Sequence, residues 1–162
     1  MKVIGTLMLA WLVSIPAANA DIRSATGKPL VDFYTVKGAL DSVRAIKDVC
    51  NARYPSLAKR NESAYEDWQI RYKAFRYKIE NYDEEITKKV SKQYDPAKRY
   101  REDALRFEQQ KKQQHEFFLG AGEASYRQTC ENYPGYLRSE KANFAVYMAE
   151  HMRVFEAYWA AK

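Results

Sequence analysis

Histidine and cysteine, the residues most used as metal ligands and nucleophiles, are nearly missing from this 162-residue chain, which holds two of each. No HExxH, CxxC or closely spaced Asp/His set occurs, so the familiar zinc arrangements are excluded. Gly-x-Ser-x-Gly is also absent, and Leu119-Gly120-Ala121-Gly122 is neither a nucleophile elbow nor a phosphate-cradling loop. Glycine and proline are scarce, at six and five residues, and no alternating apolar run with turn punctuation appears. That excludes a sandwich or barrel of short strands. A carboxylate pair is set by distance in space and escapes a test by spacing. Its nearest candidates, Asp83-Glu84-Glu85 and Glu102-Asp103, lie among lysines, where pairing along a helix accounts for them. His115 falls in a polar, solvated run and His151 on an apolar stripe that marks a core residue. The sequence therefore predicts no enzyme, no cofactor and no metal site.

What is present begins with an export signal. Lys2 precedes an apolar stretch from Val3 to Ile15, and Ala18-Asn19-Ala20 forms an A-x-A cleavage site before Asp21. The stretch is too short for a bilayer, which takes about 18–20 residues, and no second one follows. Residues 1–20 are thus expected to be removed, leaving a protein of the periplasm or the secreted space with no transmembrane segment. Cys50 and Cys130 then sit in an oxidising compartment and are expected to pair. Closing the loop between them would stabilise the fold by about 4–4.5 kcal/mol in the chain-entropy account. Losing Lys2 trims the net charge of +6 to a mildly basic balance, too weak for a dedicated nucleic-acid binder.

Apolar residues recur at helical spacing in four segments. The first carries Val36, Leu40, Val43, Ile46, Val49 and Cys50. It stops at Tyr54-Pro55, because a residue before proline is pushed out of the α region. The second runs from about Ser56 to Tyr94. It sets Tyr65, Trp68, Tyr72, Phe75, Ile79, Tyr82 and Ile86 at the 3–4 spacing of coiled-coil seams, with Asn61 before them. Asp95 caps the third and Pro96 opens it. That helix carries Ala97, Tyr100, Ala104, Phe107 and Phe118, is kinked or split at Gly120 and Gly122, resumes to Cys130, and ends at Tyr133-Pro134-Gly135. Leu137, Phe144, Tyr147, Met148, His151, Phe155 and Tyr158 mark the fourth. Short connections make neighbours antiparallel. The predicted architecture is an all-α, disulfide-stapled, up-down-up-down four-helix bundle over residues 36–162, preceded by an N-terminal arm over 21–35.

Helix lengths differ, since the first would span about 25–30 Å and the second about 55–60 Å. The hairpin tip, residues 82–105, is therefore expected to project, and a groove to open where the first helix stops. Phe75, Ile79 and Tyr82 would line that groove, faced by Lys111 and Gln114 from the third helix. Two readings stand side by side: an open groove, or one filled by the arm through Leu30, Val31, Phe33 and Tyr34.

The tip is basic and aromatic, with Lys88, Lys89, Lys92, Tyr94, Lys98, Arg99, Tyr100 and Arg101 close together. It suits an anionic polymer or lipid of the cell envelope, or it is no more than a solvated, ion-paired face. The candidate partner-binding residues are Phe75, Ile79, Tyr82, Lys88, Lys89, Lys92, Tyr94, Arg99 and Lys111. They predict a binding protein of inhibitor or immunity type for another exported or envelope protein, with envelope docking through the tip as the alternative. The Leu-Thr-x-x-Gln repeats of stress-linked periplasmic chaperones are absent, so no family pattern carries over.

Overall fold

The computed structural model describes residues 24–90 and 94–162, so the expected signal peptide lies outside it. Among those residues helix is nearly continuous and no strand occurs. The helices are α1 (Pro29–Arg53), α2 (Ala58–Arg71), α3 (Lys73–Val90), α4 (Pro96–Gly120), α5 (Glu123–Arg138), α6 (Phe144–Tyr147) and α7 (Ala149–Ala160). Short 3₁₀ turns lie at Pro55–Leu57 and Glu140–Ala142. No helix among the described residues is long and apolar enough to cross a membrane.

α1 starts earlier than its periodic pattern announces. Pro29 occupies the first helical turn, where its missing N–H would have had no partner in any case. Residues 29–35 of the expected arm are therefore the opening turns of α1. They carry Phe33, which is completely buried, against Tyr82 and Phe155 at ring separations of 6.4 and 4.7 Å. Tyr82 in turn meets Phe155 edge to face at 5.0 Å. The groove is filled in part: Phe33 occupies its Tyr82 end, whereas Leu30, Val31 and Tyr34 are exposed.

The reversal expected at Tyr133-Pro134-Gly135 lies at Ala121-Gly122 instead. Gly122 has a φ of 90°, a conformation that costs glycine little and other residues much. Before the turn, α4 lies along α1: the Gln110 amide donates to Gly38 O at 3.1 Å and Ser42 Oγ at 2.8 Å. After it, α5 returns along α1 in the opposite sense. Glu123 accepts from Arg53 at 2.8 Å and Tyr54 at 2.7 Å. Cys130 is bonded to Cys50, as the sequence predicts, and the Tyr133 hydroxyl donates to Val43 O at 3.0 Å. Pro134 sits inside α5, which continues to Arg138. Its missing donor is overridden by packing, because Tyr133, Pro134 and Leu137 are all buried on that helix. Leu137 thus closes α5 and does not open a last helix.

The second apolar segment keeps its stripe but not its straightness. Tyr72, with φ −108° and ψ 21°, separates α2 from α3, while its N–H still reaches Trp68 O at 3.1 Å. Trp68, Ile79 and Ile86 are buried, and Tyr72, Phe75 and Tyr82 pack against the core. The Trp68 indole donates to Ala142 O at 2.9 Å. α4 starts as expected, with Asp95 Oδ1 accepting from Ala97 N at 2.9 Å.

The hairpin tip is held and does not stand free along α3. Lys78 pairs with Glu156 of α7 at 2.6 Å, the Trp159 indole donates to Glu85 at 3.0 Å, and Lys89 lies 4.0 Å over the Trp159 ring. The first turns of α4 stand off, with Tyr100 77% exposed and Ala97 and Ala104 also in solvent, so these three do not belong to the core stripe.

Two stability measurements follow. Replacing both cysteines by alanine is expected to lower the unfolding free energy by about 4 kcal/mol in urea titrations, from the loop that the bond closes. Phe33→Ala is expected to cost about 3–5 kcal/mol by the same method, whereas truncating a solvated arm residue would cost almost nothing.

Candidate functional site

The structure disperses the predicted partner-binding residues. Ile79 is only 2% exposed, and Phe75 and Tyr82 are half-buried against the core, so they are packing residues first. Lys111 does not face them. It pairs with Glu108 at 3.0 Å and lines an open depression of about 470 Å³ between α1 and α4, with Asp48, Val49, Ala52, Arg53, Lys112 and His115. The reason is that the chain reverses at Ala121-Gly122, earlier than expected, which lays α4 along α1 at Gly38 and Ser42.

At the tip, most of the described cations are already engaged. Lys88 pairs with Glu84 at 2.6 Å and lies 5.7 Å from the Tyr94 ring, while Lys89 covers Trp159. Arg99 is bonded to the buried Asp83 at 2.7 Å and lies 3.5 Å from Asp103. Lys98 lies 3.9 Å from Glu102. Lys92 lies outside the described residues. These contacts match the ion-paired face that the sequence offered beside the envelope-docking reading.

A better-formed concavity lies where α1 faces the bend between α2 and α3. It encloses about 250 Å³ and is lined by Lys37, Leu40, Asp41 and Arg44 of α1, Tyr65 and Gln69 of α2, and Arg76, Ile79 and Glu80 of α3. Leu40 and Ile79 supply an apolar floor. Lys37 holds Asp41 at 2.9 Å, but Arg76 and Glu80 are 3.7 Å apart, beyond a hydrogen bond. Arg44 has no carboxylate partner among the described residues, and its guanidinium lies 4.3 Å above the Phe107 ring. Tyr65 stacks on Trp68 with ring centroids 5.9 Å apart, and the Lys47 ammonium sits 4.7 Å from the centre of its ring. Burial pushes the Tyr65 phenol above its ordinary value, against the pull of nearby Arg76, Arg44 and Lys47. It therefore stays a neutral hydroxyl at ordinary pH.

Sequence patterns gave little notice of this cleft. Of its lining, Leu40, Tyr65 and Ile79 lie on the apolar stripes, and Ile79 alone is among the residues expected to bind a partner. Lys37, Arg44, Gln69 and Arg76 lie off the apolar stripes, and a bend without proline or glycine brings them together.

The most buried polar contact joins α1 to α7. His151 Nδ1 donates to Asp32 Oδ1 at 2.9 Å, and Thr26 N donates to the same oxygen at 2.7 Å. Both side chains are closed to solvent, so the pair ties two helices together and no substrate reaches it. Burial raises the Asp32 carboxyl, but the Thr26 and His151 hydrogen bonds outweigh that and hold it below its ordinary value. A carboxylate with a depressed pKa stabilises the fold above its unfolded pKa, and that contribution fades as pH falls through the folded value. Stability measured by urea titration is expected to drop below about pH 4 in the native protein and less so in Asp32→Asn. At pH 7 the same substitution is expected to cost about 2–3 kcal/mol.

Among the described residues no group of three or more His, Cys, Asp or Glu side chains is placed to hold a metal ion. No protein-family model matches the chain, and no curated protein or solved structure matches it either, so its function is read from its own geometry.

Proposed function

We propose that this chain is an exported, non-enzymatic binding protein of the periplasm or secreted space, of inhibitor or immunity type. Its four legs, α1, α2–α3, α4 and α5–α7, run alternately up and down. It engages another exported or envelope protein through the outer face of α2–α3. The observation that carries this reading is the pair Ile70 and Tyr77, 75% and 63% exposed. Single exposed apolar residues are ordinary, but these two lie close together in the chain on either side of the Tyr72 break, Ile70 in the last turn of α2 and Tyr77 in the first turns of α3. Gln69 and Arg76, the residues just before them in the chain, line the cationic cleft, so the pair lies on the same helical turns as the cleft. An exposed aliphatic side chain and a tyrosine close to a charged recess suit a protein interface. Export is supported by the signal-like N-terminus and by the disulfide, which fits an oxidising compartment.

Docking of the tip on an anionic polymer or lipid has less support, because Lys88, Lys89, Lys98 and Arg99 are each already in contact with a carboxylate or a ring.

The test is capture of exported proteins on the oxidised mature chain at low and high salt. A stoichiometric partner retained at high salt is expected, and the double change Ile70→Ser with Tyr77→Ser should weaken it at least tenfold, the loss of two interface anchors. Lys88→Glu with Lys89→Glu should leave it intact. Capture that survives the first pair and fails with the second would move the function to the tip.

A further inference from the structure

We infer that the cleft between α1 and the α2–α3 bend binds a single carboxylate carried on a short apolar stem. Arg44 supplies the fork, Arg76 and Lys37 the flanking charge, and Leu40 and Ile79 the floor. This deepens the binding-protein reading and rests on it: the carboxylate is the group a partner presents.

Arg44 is the center of the inference. A guanidinium lying over an aromatic ring is held in place by that ring while its N–H groups stay available at the edge. Arg44 sits over Phe107 at 4.3 Å and has no carboxylate of its own among the described residues. A planar fork matches a carboxylate by two parallel hydrogen bonds, which is the strongest neutralisation such a site offers. Across the cleft, the 3.7 Å separation of Arg76 from Glu80 leaves the Arg76 guanidinium short of a hydrogen bond to that acid. The buried Tyr65, kept protonated by its surroundings, adds a hydroxyl, and the half-buried Gln69 adds an amide.

Size and charge narrow the ligand. About 250 Å³ is smaller than the pockets that enclose drug-sized molecules, and fits one side chain or one chain terminus. The lining holds three cations, Lys37, Arg44 and Arg76, and two acids, Asp41 and Glu80. A monoanion is matched by that balance, whereas the second charge of a phosphate would face Asp41 and Glu80. The apolar floor favours an acid with a hydrocarbon stem over a bare ion.

The experiment is a titration of isotope-labelled, oxidised protein followed by nuclear magnetic resonance. N-acetyl-leucine serves for a chain terminus, N-acetyl-glutamate N-methylamide for an acidic side chain, and N-acetyl-leucinamide and inorganic phosphate as controls. One of the two acids is expected to give saturable shifts at Leu40, Arg44, Tyr65, Gln69 and Ile79, and the tighter one names the source. The uncharged amide should give none, and phosphate should bind more weakly than either acid. Arg44→Gln, at an exposed position that leaves the core untouched, should weaken the acid about tenfold or more, with Arg44→Lys in between. Equal shifts from acid and amide, tighter binding of phosphate, an undiminished Arg44→Gln, or no saturable shift would each overturn the assignment. The two readings fail separately. A partner captured equally by the native protein and Arg44→Gln would sink the cleft and keep the binding protein. Acid binding that depends on Arg44, with no partner captured, would keep the cleft and sink the protein interaction.

Discussion

The burial of α1 is the constraint on which the rest of the molecule depends. Asp32, Phe33, Val36, Ala39, Val43, Ala45, Ile46, Val49 and Cys50 are all buried along it, a stripe too wide for one neighbouring helix to cover. α7 covers its start through Phe155 and His151. α5 covers its end through Cys130, Tyr126 and Tyr133, whose hydroxyls donate to Val49 O at 3.3 Å and Val43 O at 3.0 Å. α2 reaches it through Glu62, held by Lys47 at 2.9 Å, and α4 through Gln110. The many tyrosines make sense in this setting. In a narrow bundle, Tyr126 and Tyr133 each bring a large ring to the core and a hydroxyl that satisfies a backbone carbonyl beside it.

The cleft follows from the same constraint. The α2–α3 leg that lies beside α1 is interrupted at Tyr72. Near that interruption long polar side chains line the gap, and apolar contact resumes at Phe33 and Tyr82. Lys37, Arg44 and Arg76 line it beside Leu40 and Ile79, with Lys37 holding Asp41 on its own helix and Arg44 lying over Phe107 of α4. In the proposed reading, recognition uses what the packing leaves uncovered.

Much of the fold is legible in the sequence where the signal is local. The Asp95 cap, the stripe from Tyr65 to Ile86 and the pairing of Cys50 with Cys130 all need only spacing and compartment to be read. The start of α1 is also written there, in Lys28-Pro29, but the apolar pattern begins at Val36, because Asp32 is polar and its partner His151 lies far along the chain. Pro134 misleads for the opposite reason: alone it argues for a break, and only the burial of Tyr133 and Leu137 shows why the helix continues. Gly122 carries the reversal through a positive φ that no spacing rule distinguishes from the neighbouring Gly120. The cleft was invisible, since its cations come from separate helices and its opening depends on one residue, Tyr72.

The most direct test of the account places a photo-crosslinking side chain in the exporting cell, at position 77 in one strain and at position 101 in another. If the face beside the cleft is the recognition surface, position 77 gives a discrete protein adduct and position 101 gives none. An adduct at 101 with none at 77 would contradict the account and return the function to the hairpin tip.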